Sequence, residues 1–114
     1  MPRTGLAGPH ALTDDTINEV VTKVSAGVYA AGRVNKENLF LISYIGRSDS
    51  DLSVGLHDYV GKYSKFKFGY FDTPRAAFEK QCHLYHDFGP PDNRVHPARP
   101  MRTKWSCPRC RAFD

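Results

Sequence analysis

The chain has 114 residues, a mass of 12.9 kDa and a formal net charge of +4, and 40% of its residues are hydrophobic. A chain of this length usually folds as one domain with a modest core, and a content of 12% aromatic residues argues against intrinsic disorder. It contains no apolar run near the ~20 residues that cross a bilayer. Because residues 1–10 lack the apolar core of a signal peptide, we expect a reducing, cytoplasmic setting and no membrane partner.

The N-terminal part predicts a tail followed by a helix. Residues 1–12 are rich in glycine and proline, so we expect them to form a flexible tail. Thr13 or Thr16 can cap a helix that ends at Gly27. The apolar residues at helical spacing are Ile17, Val20, Val21 and Val24.

The middle of the chain predicts most of the strands. Two β-like runs, residues 27–32 and 39–45, flank the polar stretch 33–38, which is typical of a hairpin. Several capping residues within 48–51 then predict a short helix. Residues 65–71 alternate lysines with aromatic rings, as a half-buried strand does.

The last predicted helix begins at Thr73 and Pro74 and ends at Gly89, because these residue types favour helix starts and stops. The order of elements therefore predicts an α+β fold, in which a three-stranded antiparallel sheet is flanked by helices. We assign this domain to residues 13–97. Residues 98–114 form a basic tail that we expect a metal to hold against the same domain.

The clearest local motif is the pair Cys107 and Cys110, because two thiolates separated by two residues can grip one tetrahedral zinc ion. Cys82 and His86 lie four residues apart on the last predicted helix, so they face the same way. These four residues are the predicted ligands of a structural Zn²⁺ ion. The rival fourth ligands are His96 and His83.

Two other interpretations of the cysteines stay open. The thiols can be unliganded, or the pair can be a redox motif. The redox alternative is weaker, because no thioredoxin-like strand precedes the pair and no helical pattern follows it.

The basic residues are concentrated in two places, and both concentrations are mixed with aromatic residues. Such patches are an electrostatic signature of nucleic-acid binding, although a solvated surface that keeps the protein soluble has the same composition. The candidate nucleic-acid-binding residues are Lys62, Lys65, Lys67, Arg94, Arg99, Arg102 and Lys104.

A second constellation lies on the predicted hairpin. Gly27-Val28-Tyr29 is on the first strand, and Tyr44-Ile45-Gly46-Arg47-Ser48 is on the second, with Glu79 and Asn93 farther along the chain. Two tyrosines on neighbouring strands are ordinary cross-strand packing when taken alone. In this order, however, the residues resemble the GIY-YIG nuclease superfamily from about residue 27 to residue 97.

The resemblance implies a catalytic set. Tyr29 would be a general base or a phenol that orients the nucleophile, and Tyr44 would support it. Glu79 would hold one catalytic Mg²⁺ or Mn²⁺ ion against the scissile phosphate, and Asn93 would orient that end of the site. The superfamily fold that it implies is the three-stranded sheet with flanking helices.

One position departs from the family pattern. Family members usually have an arginine one turn into the helix after the second strand, where this chain has Gly55. Arg47 is the nearest guanidinium in sequence and a candidate substitute. The resemblance implies a metal-dependent endonuclease acting on phosphodiester bonds, with DNA favoured over RNA. The alternative is a weakened or inactive zinc-containing module that binds nucleic acid.

Overall fold

The structure is a computed structural model that describes residues 4–100 and 102–113. Its centre is an antiparallel sheet. The elements, in chain order, are β1 (Ala7–Ala11), α1 (Asp14–Val20), β2 (Gly27–Val34), β3 (Phe40–Ser48), α2 (Leu52–His57), β4 (Lys65–Tyr70) and α3 (Pro74–Phe88). The strand order across the sheet is β1-β4-β2-β3. The predicted α+β class is therefore confirmed, but the sheet has four strands instead of three.

The additional strand, β1, comes from residues 1–12, which we expected to form a flexible tail; residues 1–3 of that tail lie outside the described part of the chain. It pairs antiparallel with β4, and His10 lies opposite Phe66. The register shifts between Ala7 and His10, and Gly8 there has φ 131°, a conformation that favours glycine. The glycine and proline that suggested a tail therefore lie at an irregularity within a strand.

Helix α1 is shorter than predicted. Thr13 caps it by accepting a hydrogen bond from the backbone N–H of Thr16 at 3.2 Å, but the helix ends at Val20 rather than continuing to Gly27. Beyond it, the backbone N–H groups of Thr22 and Lys23 donate to the Tyr70 hydroxyl. These two hydrogen bonds fix the chain after the helix to β4, and the side chain of Val24 is exposed.

The two faces of the sheet carry separate cores. Helices α1 and α2 cover one face, where the buried residues are Ile17, Tyr29, Leu52, Leu56, Phe66 and Phe68. Helix α3 covers the other face, where they are Val28, Ala30, Ile45, Ala77 and Leu84. Because side chains alternate along β2, Tyr29 belongs to the first core and Val28 to the second. On β3, Arg47 is paired with Val28, and its guanidinium contacts α3.

Helix α3 agrees with its predicted start and stop. Thr73 accepts from the backbone N–H of Ala76 at 3.1 Å, Pro74 is the first helical residue, and Gly89 ends the helix in the left-handed conformation, with φ 52°. A strong cap at each end makes this helix a firm support for the residues that follow it.

The C-terminal segment packs on α3 through a third small core. Phe78, Cys82 and Cys107 are buried there. Arg99 donates to the carbonyl of Trp105 at 2.8 Å and lies over the Phe113 ring. In the part of the chain that the structure describes, no helix has the length and apolar character that crossing a membrane requires.

Candidate metal centre and adjoining basic cavity

Four side chains from three parts of the chain form a compact cluster of metal-ligating atoms. His86, His96, Cys107 and Cys110 each contribute one ligand atom, and all four atoms lie within 4.8 Å of one another. Cys107 Sγ is 3.4 Å from His86 Nε2, and Cys110 Sγ is 3.4 Å from His96 Nε2. Two thiolates and two imidazoles are a donor set that zinc binds tetrahedrally. The cluster could therefore hold a metal ion such as zinc.

The local structure explains how the ligands meet. His86 lies in the last turn of α3, and the turn that contains Cys107 and Cys110 packs back onto that end of the helix. The backbone N–H of Arg109 donates to Cys107 Sγ at 3.4 Å. Burial alone would raise the pKa of the Cys107 thiol, but this bond and those with His96 and Cys110 outweigh it and lower the pKa to about 6. The site therefore favours a thiolate.

The fourth member of the cluster differs from our first choice. We predicted Cys82 as a ligand and named His96 among the rival fourth ligands, and the cluster contains His96 and not Cys82. Cys82 does face the same way as His86, but it is fully buried and hydrogen-bonds to Cys107. Burial raises the pKa of the Cys82 thiol to about 12, and Cys82 is not part of the compact set of ligand atoms. The other rival, His83, is an exposed residue outside the cluster.

A cavity of about 420 Å³ adjoins this centre between β3 and the segment that follows α3. His96 belongs both to the metal-ligating cluster and to the wall of the cavity. The polar residues that define the rest of the cavity are Tyr44, Arg47, Gln81, Asp92, Asn93 and Arg94. Three of the five residues that the GIY-YIG resemblance implicates, Tyr44, Arg47 and Asn93, thus lie at one site.

Arg47 is held firmly at the floor of this cavity. It donates from Nη1 to Gln81 Oε1 at 2.8 Å, from Nη2 to the Ala98 carbonyl at 2.7 Å and from Nε to Asp49 at 2.7 Å. Its guanidinium also lies 5.2 Å from the centre of the Phe78 ring. These contacts aim the cation toward α3, on the face of the sheet opposite the core that contains Tyr29.

The segment after α3 is tied to the edge strand β3. The Asn93 amide accepts from the Ile45 N–H at 2.7 Å and donates to the Ile45 carbonyl at 2.9 Å, so it imitates a strand partner. The backbone N–H of Asp92 donates to the Ser43 carbonyl at 2.9 Å. Asn93 therefore has a structural function that the sequence did not indicate.

The two tyrosines of the motif lie close together, but Tyr29 is almost fully buried. The rings of Tyr29 and Tyr44 have centroids 6.2 Å apart, and Tyr59 packs against both. Burial raises the pKa of the Tyr29 hydroxyl strongly, and the Tyr59 and Tyr44 hydroxyls add to the rise. Burial also raises the pKa of Tyr44. Both phenols are therefore protonated at neutral pH.

Two further positions, Glu79 of the implied catalytic set and Gly55, where the family has its arginine, lie outside the cavity lining. Glu79 is half-buried on α3, and neither the cavity lining nor the metal-ligating cluster among the described residues includes it. A Cβ atom added to Gly55 would lie 3.8 Å from Tyr29 Cε1, at ordinary van der Waals distance. The helix therefore has room for a side chain beside Tyr29.

The predicted basic residues have different surroundings. Arg94 lines the cavity and is exposed, as are Lys62, Arg102 and Lys104. Lys67 lies over the Phe40 ring, and Arg99 donates a hydrogen bond to the Trp105 carbonyl within the C-terminal segment. Lys65 is half-buried in β4. The residues that sequence reasoning missed are Tyr59, Tyr63, Gln81 and Asp92. Tyr59 and Tyr63 stack on Tyr44, Gln81 bonds Arg47 and Asp92 bonds Tyr63, and each contact joins residues far apart in the chain.

In comparisons with known proteins, no protein-family model, no curated protein and no solved structure matched this chain significantly. The resemblance to the GIY-YIG superfamily therefore rests on the residues that carry it.

Proposed function

We propose that this protein binds nucleic acid through the cavity beside β3 and that a structural zinc ion in the His86, His96, Cys107 and Cys110 cluster supports the cavity wall. The observation that carries the proposal is the exposed Arg94 on the wall of a cavity that also contains the Tyr44 phenol and the Arg47 guanidinium, which is paired with Asp49. Guanidinium groups and neutral hydrogen-bonding groups together suit a phosphodiester.

The position of Arg47 favours binding over catalysis. In the endonuclease hypothesis, this guanidinium would replace the family's helix arginine beside Tyr29 and Glu79. Its three hydrogen bonds direct it elsewhere, and Glu79 does not line the cavity. Arg94 can neutralise phosphate charge at the cavity, whereas Glu79, which the endonuclease hypothesis needs as the metal ligand, is not among the described residues of its lining.

The test is binding of fluorescently labelled DNA and RNA oligonucleotides to the zinc-loaded protein at several salt concentrations. We expect affinity to fall as salt rises, because phosphate contacts release counterions. Arg94→Gln should weaken binding by about 5-fold and reduce the salt dependence. Lys36→Gln removes the same charge at an exposed position in the β2–β3 turn and serves as the matched control. Absence of binding at low salt would overturn the proposal.

The second candidate is a metal-dependent endonuclease, favoured by the meeting of Tyr44, Arg47 and Asn93 at one cavity. It predicts cleavage of plasmid or single-stranded substrates in Mg²⁺ or Mn²⁺, abolished by Glu79→Ala. It also predicts faster cleavage by Gly55→Arg, because a side chain there would begin beside Tyr29. If the wild-type protein cleaves nothing in either metal and Gly55→Arg is equally inert, this candidate is excluded.

A further inference from the structure

A second depression lies beside the cavity on the other side of Tyr63. It has a volume of about 520 Å³, and its wall includes Arg33, Ser43, Lys62 and Tyr63. Ser43 is also joined to the cavity wall, because its carbonyl accepts from the Asp92 N–H. The Tyr63 hydroxyl donates to the Asp92 carboxylate at 2.7 Å. The Tyr63–Asp92 pair therefore connects the two depressions.

The Tyr63 ring is held in a defined orientation. It is nearly parallel to the Tyr44 ring, with an angle of 10° between the planes and 6.5 Å between the centroids. Its centroid lies 6.1 Å from that of Tyr59. Tyr63 is nevertheless only half-buried. It thus combines a fixed position, set by its neighbours, with an accessible aromatic surface.

Basic side chains outnumber acidic ones in the lining of the two depressions, and one of them, Arg47, is paired with Asp49. Arg33 and Lys62 line the second depression, and Arg47 and Arg94 line the cavity. Among the described residues that line either one, Asp92 is the only acidic residue, and its carboxylate accepts the hydrogen bond of the Tyr63 hydroxyl. An anion that extends from one depression to the other would therefore pass the Tyr63–Asp92 pair with the exposed cations Arg33 and Lys62 on one side and Arg94 on the other.

We propose that this surface selects single-stranded nucleic acid, with backbone phosphates over the two basic depressions and one base stacked on Tyr63. The inference rests on the proposed function and adds the class of nucleic acid. A base can stack on a protein ring only after it leaves its own base stack, which a single strand permits at low cost and a duplex does not. A basic groove interrupted by an aromatic platform is the usual construction of such sites.

The test compares a labelled single-stranded oligonucleotide with a hairpin duplex of the same base composition, using the zinc-loaded full chain. We expect single strands to bind at least 10-fold more tightly. Tyr63→Ala should weaken single-strand binding on the order of 10-fold, whereas Tyr63→Phe, which keeps the ring and loses the bond to Asp92, should bind within about 3-fold of wild type. A 2-aminopurine base in the strand should lose fluorescence on binding to the wild-type protein, which reports stacking without a substitution.

The outcomes separate this inference from the function on which it rests. If both nucleic acids bind equally, Arg94→Gln weakens both and Tyr63→Ala weakens neither, nucleic-acid binding stands and single-strand selection is overturned. Unquenched 2-aminopurine would equally contradict stacking. If neither nucleic acid binds at low salt, the proposed function itself fails.

Discussion

At the scale of single residues, the identity of the fourth ligand of the candidate metal centre is the main question, and two neighbouring side chains compete for that place. Cys82 and His96 both approach the cysteine pair, but only His96 has its ligand atom within 4.8 Å of the other three. Cys82 instead lies in the small core with Phe78, where burial raises the pKa of its thiol to about 12. A buried protonated thiol contributes to packing, whereas an imidazole at the surface of the cluster remains available to a metal.

This difference predicts a distinct pattern of metal loss. His96→Ala and Cys107→Ser should each lose the bound zinc after dialysis, because each removes one of four ligands. Cys82→Ala should retain one equivalent, as should His83→Ala, which removes an exposed histidine of the same helix. Elemental analysis of the purified variants measures the stoichiometry. Full zinc in His96→Ala together with loss in Cys82→Ala would restore Cys82 as the ligand.

Asn93 allows a structural function to be distinguished from a catalytic one. Its amide makes two hydrogen bonds to the Ile45 backbone, so Asn93→Ala leaves both groups without that partner. We expect the free energy of unfolding to fall by about 1–3 kcal/mol, toward the lower value wherever water replaces the amide. Urea denaturation followed by circular dichroism measures the change. An unaltered unfolding midpoint would indicate that Asn93 does not hold the segment to β3.

At the scale of elements, the difference between α3 and β1 shows how much the sequence can predict. The ends of α3 follow from local chemistry, because Thr73, Pro74 and Gly89 act on the backbone beside them. β1 forms because β4 offers it an edge, a long-range condition that its glycine and proline conceal.

The residues of the candidate site also differ in whether local sequence predicts them. Cys107 and Cys110 are recognisable from their spacing, and His86 from its helix. His96 and the Tyr63–Asp92 pair depend on where an irregular segment lies after folding, and no local pattern encodes that.

The pairing of β1 with β4 has a consequence for stability and solubility. Deletion of residues 1–11 would remove the partner of β4 and expose its backbone edge. We expect a loss of at least ~2 kcal/mol in unfolding free energy, since several backbone hydrogen bonds of about 0.5–1.5 kcal/mol each disappear. The exposed edge should also promote association between copies. Urea denaturation and size-exclusion chromatography at two concentrations measure both effects, and a monomeric variant of unchanged stability would contradict this account.

At the scale of the whole molecule, the metal centre and the cavity share a wall. His96 belongs to both, and two residues later the Ala98 carbonyl accepts the Nη2 hydrogen bond of Arg47. The opposite end of this segment is fixed independently, by Asn93 and Ile45. A metal bound at His96 would therefore hold the free end of the wall against Arg47.

Chelation of the metal should consequently loosen one part of the molecule and preserve another. We expect faster hydrogen exchange in residues 96–113 after treatment with EDTA, because bonds from a bound metal to its ligands would hold that segment to α3, and slow exchange in β2 and β4, whose pairing does not involve the centre. Oligonucleotide affinity should also fall after chelation and recover on addition of zinc.

Arg47→Lys provides the decisive variant: it keeps the positive charge but loses the planar set of donors that joins Gln81, Asp49 and Ala98. It should bind zinc normally and bind oligonucleotides more weakly, with little further change on chelation. If chelation reduces the affinity of this variant as much as that of wild type, the cavity does not depend on the metal through Arg47.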